Sequence, residues 1–260
     1  MNDWFHELPV LWMALLVFGI TYLLALAIHA GVAALAKSGC AKSFKAFSPS
    51  MLPPLGILFG LFVAFTAAQV WSDSDRASSA VSREASALRT VFVLATSFPG
   101  DPEAKLHDLM KNYVHEIATV EWPMMARRTA PLNITPRAIL EALQLTLALP
   151  ATSPGQQIAQ REIIRALETA LDARRLRIIA SLANVNAVKW FCLYLQAIFS
   201  LLAIAFVHCD NWLASLLAIG LFAGGVSTSV LLIAAHDRPF VGHVAVTPQP
   251  LLQIVPLAKR

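Results

Sequence analysis

The chain has 260 residues, of which 57% are hydrophobic and 14% charged, with a formal net charge of +4 and a mean hydropathy of +0.62. That balance excludes an ordinary soluble domain of this size, and the modest, dispersed positive charge excludes a nucleic-acid surface. The three cysteines, Cys40, Cys192 and Cys209, show no CxxC or Cys/His ligand spacing, so neither a zinc site nor a disulfide framework is readable.

Four runs carry no Asp, Glu, Lys or Arg: residues 8–36, 46–72, 190–209 and 211–236. Each supplies the ~20 residues that cross a hydrocarbon core ~30 Å thick at ~1.5 Å per residue. The first run follows Asp3 and Glu7, where a signal peptide has a basic segment, so it is expected to stay as an anchor. His29 lies inside it, either as a functional titratable group at depth or as an interfacial histidine bonded to a neighbour.

The second run begins at Pro53-Pro54 and places Gly56, Gly60 and Ala64 in a small-xxx-small row. Such a row permits close helix packing. Alternatively it packs on neighbouring helices while an offset face, Leu58, Phe62, Phe65 and Gln69, points into a lumen shared by several subunits and forms an apolar constriction. Helical spacing of Ala77, Val81, Leu88, Phe92 and Ala95 carries this span onward as one rod into a polar insert.

Pro/Gly clusters divide that insert into four helical pieces. Asp101, before Pro102 and Glu103, is expected to cap the second piece, which should stop or kink near Trp122 because Pro123 lacks a donor. Glu121, Trp122 and Pro123 form a docking corner against another helix or the membrane surface. Thr135-Pro136 is expected to open the third piece and Ser153-Pro154 the fourth, which should run on into the third span. Cys192 should pack in that span as a small hydrophobe, while Cys40 and Cys209 lie in loops on one side, bridged or free.

The fourth span contains "GLFAGGVSTSV", whose small and hydroxyl residues suit tight packing or a polar face toward a cavity. Pro239 should end it at about Asp237. In the tail, Asp237, Arg238, Pro239, Phe240 and Gly242 are expected to act as a structural clasp on the insert. Phe240 would fill an apolar gap, Gly242 would make a tight turn, and the proline-rich remainder would run extended.

The fold class is therefore all-α: a polytopic membrane protein with four transmembrane helices and a helical cytosolic insert between the second and third spans. The parts are residues 1–72, a first helix pair; 73–189, the insert; 190–236, a second pair; and 237–260, the tail. Eight basic residues near span ends on the insert side, Arg76, Arg83, Arg89, Arg174, Arg175, Arg177, Lys189 and Arg238, outweigh Lys37, Lys42 and Lys45 on the other. The positive-inside rule then puts the insert and both termini in the cytoplasm. No phosphate loop, HExxH, GxSxG or paired-carboxylate pattern is present, so no catalytic residue, metal or cofactor is expected.

Three pieces in this order carry a resemblance: "GILFGLFVAFTAAQVW" leading to "SREASALRTVF", then "YVHEIATVEWPMM", then "DRPFVGHVAVTPQPL". Together they resemble the bestrophin-like domain proteins, mostly bacterial integral membrane proteins of unassigned function, whose layout is similar to the bestrophin anion channels. The resemblance implies the inner membrane of a bacterium, a homo-oligomer, pentameric by analogy, and a pore lined by the second span for an anion or small solute. Bestrophins carry an Asn/Asp-Pro-Phe-Gly turn followed by acidic residues that help to bind calcium in animal members. This chain has Asp237-Arg238-Pro239-Phe240-Val241-Gly242, with an insertion before Pro and another before Gly, and no acidic run, so calcium gating is not implied. The alternative function is a non-conducting scaffold or sensor whose cytosolic helices bind a partner.

Overall fold

The computed structural model describes residues 8–40, 44, 48–242 and 244–254, and every regular element among them is helical. Asp3, Glu7, Lys42, Lys45 and the Cys40 side chain, invoked above, lie outside the described residues. The helices in chain order are α1 (Val10–Leu35), α2 (Leu52–Ala95), α3 (Asp101–Glu116), α4 (Trp122–Ala126), α5 (Arg137–Ala148), α6 (Pro154–Ser181), α7 (Ala187–Val207), α8 (Trp212–His236) and α9 (Gln249–Leu252). A π turn (Ala36–Cys40) follows α1, a short 3-10 turn (Pro49–Met51) precedes α2, and a second π turn (Ile117–Glu121) joins α3 to α4. Among the described residues, four segments are long and apolar enough to span a bilayer: Val10–Ser38, Pro49–Ala95, Ala187–Val207 and Trp212–His236.

The chain forms two compact units. The first holds the described residues up to Ser72, Asn184–Arg238 and Gly242–Val244. Its larger apolar cluster joins Met13 and Val17 of α1, Phe59, Ala67 and Val70 of α2, Trp190 and Leu193 of α7, and Val226, Val230 and Ile233 of α8. A smaller cluster joins Ala25 and Val32 to Leu201, Ala205, Ile219 and Ala223. His29 shares a hydrogen bond with Ser215 of α8 through Nδ1 and Oγ at 3.1 Å, so the imidazole has a bonded neighbour on another helix.

The second unit holds Asp73–Ala183, Pro239–Val241 and the described residues from Ala245 on. Its core takes Val81, Leu88 and Phe92 from α2, Leu106, Met110 and Ile117 from α3 and the π turn, and Ile139 from α5. Ile163, Leu167 and Ile178 come from α6, and Phe240, Leu251 and Ile254 from the tail. These positions recur at three and four residues along each long helix, one apolar face against the common core.

Local rules account for most helix ends. Ser153 caps α6 in a capping box with Gln156, each side chain meeting the other residue's backbone N–H. Gly100, not Asp101, is the N-cap of α3: it takes a φ of 95°, a region that favours glycine, which leaves Asp101 and Glu103 inside the first turn where the helix dipole suits anions. Helix α5 starts after Pro136, whose carbonyl accepts the Leu140 N–H, so Thr135 is not its cap. The expected fusion of α6 with the third span does not occur. The helix ends at Ser181, and Asn186 opens α7 afresh by accepting the Val188 N–H through its side chain.

Pro123 does not stop the helix. The chain instead widens into the π turn, where the Trp122 N–H reaches the Ile117 carbonyl, and continues as α4. The tail is not wholly extended either: Pro248 and Pro250 sit at the start of α9, where a missing N–H costs nothing.

Candidate functional site

On α2, the ~100° turn per residue separates three stripes. Phe59, Thr66 and Val70 are buried in the first unit and lie within about 40° of one another. Leu58, Phe62, Phe65 and Gln69 form a stripe about 90° to one side, and Gly56, Gly60 and Ala64 one about 100° to the other. Leu58 is 55% and Phe65 68% exposed, while Phe62 and Gln69 are half-buried. A Cβ added at Gly56 or Gly60 would meet nothing within 4 Å. Among the described residues, then, nothing packs closely on Gly56 or Gly60. Gln69 accepts a hydrogen bond from the Lys189 ammonium at the start of α7.

The small residues of α8 behave differently. A Cβ at Gly224 would stand 3.1 Å from the Tyr22 hydroxyl of α1, so here the glycine admits a neighbour's side chain. The hydroxyls of Ser227, Thr228 and Ser229 donate to the carbonyls of Ala223, Gly224 and Gly225, four residues back. Their polarity is met within the helix, as an apolar surrounding requires. The Cys209 thiol is free.

The second unit is built around a buried charge cluster. Arg177 of α6 is fully buried and grips Glu84 of α2, equally buried, with Nε donating at 2.7 Å and Nη2 at 3.1 Å. The Tyr113 hydroxyl donates to the same carboxylate at 2.6 Å. Glu121, turned inward by the π turn, accepts from Arg174 Nε at 3.1 Å and lies 3.5 Å from Arg177 Nη2. Arg174 donates onward to the Ile134 and Pro131 carbonyls. Two acids and two bases cancel in charge, and geometry of this quality is what a buried pair needs to offset desolvation. Burial would by itself lower the Arg177 pKa, but Glu84 beside it more than reverses that and holds it raised. Burial, with the Glu84 charge adding to it, pushes the Tyr113 phenol well above its usual range.

The corner residues adjoin this cluster. The Arg177 guanidinium lies 5.4 Å from the Trp122 ring centre. Trp122 meets Phe240 of the tail edge-on at 5.3 Å, and Pro123 is exposed. Phe240 is 6% exposed, and the Pro239 carbonyl accepts the Val246 N–H at 2.7 Å, closing the tail on itself around Gly242, whose φ is 92°. Asp237, in the first unit, accepts the Val185 N–H at 2.5 Å.

Sequence reasoning took Arg174 and Arg177 only as charges near a span end and passed over Glu84. The signal was present: Glu84 stands between Val81 and Leu88 on the apolar face of its helix. A charge at a core position implies an opposite charge from another helix.

Spans of these lengths, hydroxyls that satisfy their own helix and a helical insert built around a charge-balanced cluster define a polytopic helical membrane protein. The sequence pattern of the bestrophin-like domain matches residues 19–251, and the chain belongs to the bestrophin-like family. Two crystal structures of a bacterial bestrophin homologue from Klebsiella pneumoniae share the fold. A mutant form superposes with a TM-score of 0.73 at 10% identity, covering 95% of this chain and 99% of that one. A form solved by Zn-SAD phasing gives 0.68 at 13% identity, covering 94% and 96%. Comparison with curated protein sequences finds no match.

Proposed function

We propose that the chain is one subunit of a homo-oligomeric membrane channel for anions or small solutes, with Leu58, Phe62, Phe65 and Gln69 of the second span facing the common lumen. The observation that carries this is the bare face of α2: Leu58 and Phe65 are exposed, and no described residue packs on Gly56 or Gly60. In an oligomer the small-residue row can pack on an adjacent subunit while the phenylalanines form an apolar constriction. Lys189 of α7, bonded to Gln69, adds positive charge beside the end of that stripe, which suits an anion. Insert and termini face the cytoplasm of a bacterial inner membrane, pentameric assembly follows by analogy, and neither catalysis nor a cofactor is part of the function.

The test is the mass of the intact oligomer in mild detergent together with chloride flux from reconstituted liposomes, wild type against Phe62→Ala. A pentamer whose flux rises when Phe62 is shortened supports the channel. A monomer without flux above empty liposomes refutes it and favours the scaffold or sensor, a reading supported by Leu140 and Leu147, exposed two turns apart on α5.

A further inference from the structure

Helix α2 carries one seam that outlasts its apolar stretch. From Leu58 the stripe advances by four, three and four residues to Phe62, Phe65 and Gln69, and the same alternation of three and four continues through Ser72, Arg76, Ser79, Arg83, Ser86 and Thr90. Spacing that averages ~3.5 residues keeps such positions on one face of a slightly supercoiled helix. None of the ten positions is buried in its own chain. The chemistry along the seam changes at Gln69: before it stand leucine and phenylalanine, and after it serine, arginine and threonine, with neither an apolar residue nor an acid.

The two arginines differ in what offsets them. Arg76 lies 3.6 Å from Asp73, and Asp75 precedes it in sequence. Arg83 is exposed, and the residues three and four away from it, Ser79, Ala80, Ser86 and Ala87, include no acid to pair with along the helix. Glu84, next in sequence, is fully buried and gripped by Arg177. Arg83 is therefore the charge on this seam that its own helix does not offset.

We infer that Arg83, repeated once in each subunit, forms a ring of positive charge around the lumen within the insert portion of α2 and makes the pathway select small anions over cations. The inference rests on the channel proposed above and adds the group that sets the sign of its selectivity. Rings of arginine or lysine give a pore this preference by raising the local concentration of anions and lowering that of cations.

The experiment reconstitutes the full chain in planar bilayers of zwitterionic lipid under a potassium chloride gradient, where the reversal potential gives the chloride-to-potassium permeability ratio. Wild type is expected to favour chloride. If loss of the ring lowers the lumen potential by about one kT, chloride falls and potassium rises ~2.7-fold each, so Arg83→Gln should lower the ratio about sevenfold. Arg83→Glu should favour potassium, and Ser79→Arg, one turn earlier on the seam, should raise the ratio above wild type. Arg89→Gln removes another exposed charge from the same helix, about 120° round from Arg83, and should leave the ratio unchanged. The Arg83 effect should shrink in ~1 M salt, where charges are screened beyond ~3 Å. Wild-type conductance with the same ratio as Arg83→Gln overturns this inference and leaves the channel standing. Equal falls in Arg83→Gln and Arg89→Gln also overturn it, because the effect then belongs to surface charge at large. A folded wild-type oligomer that conducts nothing overturns the channel itself, and the ring with it.

Discussion

Replacing Glu84 by Gln keeps the side-chain shape and deletes the charge that Arg177 is buried against. Glu84 receives three hydrogen bonds, two of them from Arg177, and both residues are fully buried. In the variant, Arg177 retains Glu121 at 3.5 Å and the Trp122 ring. Breaking one member of a buried pair costs about 3–5 kcal/mol, because the remaining charge stays in low dielectric. For a unit of this size that corresponds to a fall in Tm of roughly 6–20 °C. Thermal unfolding followed by tryptophan fluorescence reads it, since Trp122 sits on the cluster. The double variant Glu84→Leu/Arg177→Met removes both charges and is expected to lose less than either Glu84→Leu or Arg177→Met alone, which separates pairing from packing. A Glu84→Gln loss below about 1 kcal/mol, or a double variant at the sum of its singles, would falsify the account of this cluster as a mutually dependent pair.

The Tyr113 phenol should resist alkaline titration. Its folded pKa lies above the unfolded value near 10, so the unfolded chain gives up this proton first and stability falls as pH rises past about 10. The phenolate absorbance lost in Tyr113→Phe should appear in wild type only as the second unit unfolds. Trp122→Ala removes both the edge contact to Phe240 and the cation–π partner of Arg177, with an expected loss of about 3–5 kcal/mol and earlier proteolytic release of the tail. Gly224→Leu forces a side chain into the space of the Tyr22 hydroxyl, so detergent-solubilised protein should lose about 1–3 kcal/mol, read as an earlier thermal transition. Gly56→Leu, with no described residue within 4 Å of the added Cβ, should leave the monomer's stability unchanged and instead alter the oligomer mass measured in mild detergent.

The four spans were legible because a bilayer imposes a length and forbids charge, and both constraints act on contiguous residues. Local chemistry was legible too where it is self-contained, as in the Ser153 and Gln156 box. It failed where the choice between neighbours was fine: Gly100 outranked Asp101 as a cap because only glycine takes its φ easily. At Pro123, which has no N–H to donate, a stop or kink was expected; the chain instead takes a wider turn, and packing of Glu121 against Arg174 and Arg177 goes with it. The charge cluster was not legible because Glu84 and Arg177 are 93 residues apart, and periodicity marks a core position without naming its partner.

The second unit also has an unusual place in the order of synthesis. Leu251 and Ile254 are fully buried in a core that begins at Ala77, with the third and fourth spans encoded between. At ~5–20 residues per second, the ribosome needs roughly 3–12 s to pass from the end of α6 to the tail. Through that interval the insert helices stand without their last apolar partners while the remaining spans enter the membrane. Maturation of this unit is thereby timed to follow synthesis of the third and fourth spans, and a subunit arrested between α6 and α9 carries an open apolar seam that folding-surveillance proteases can recognise.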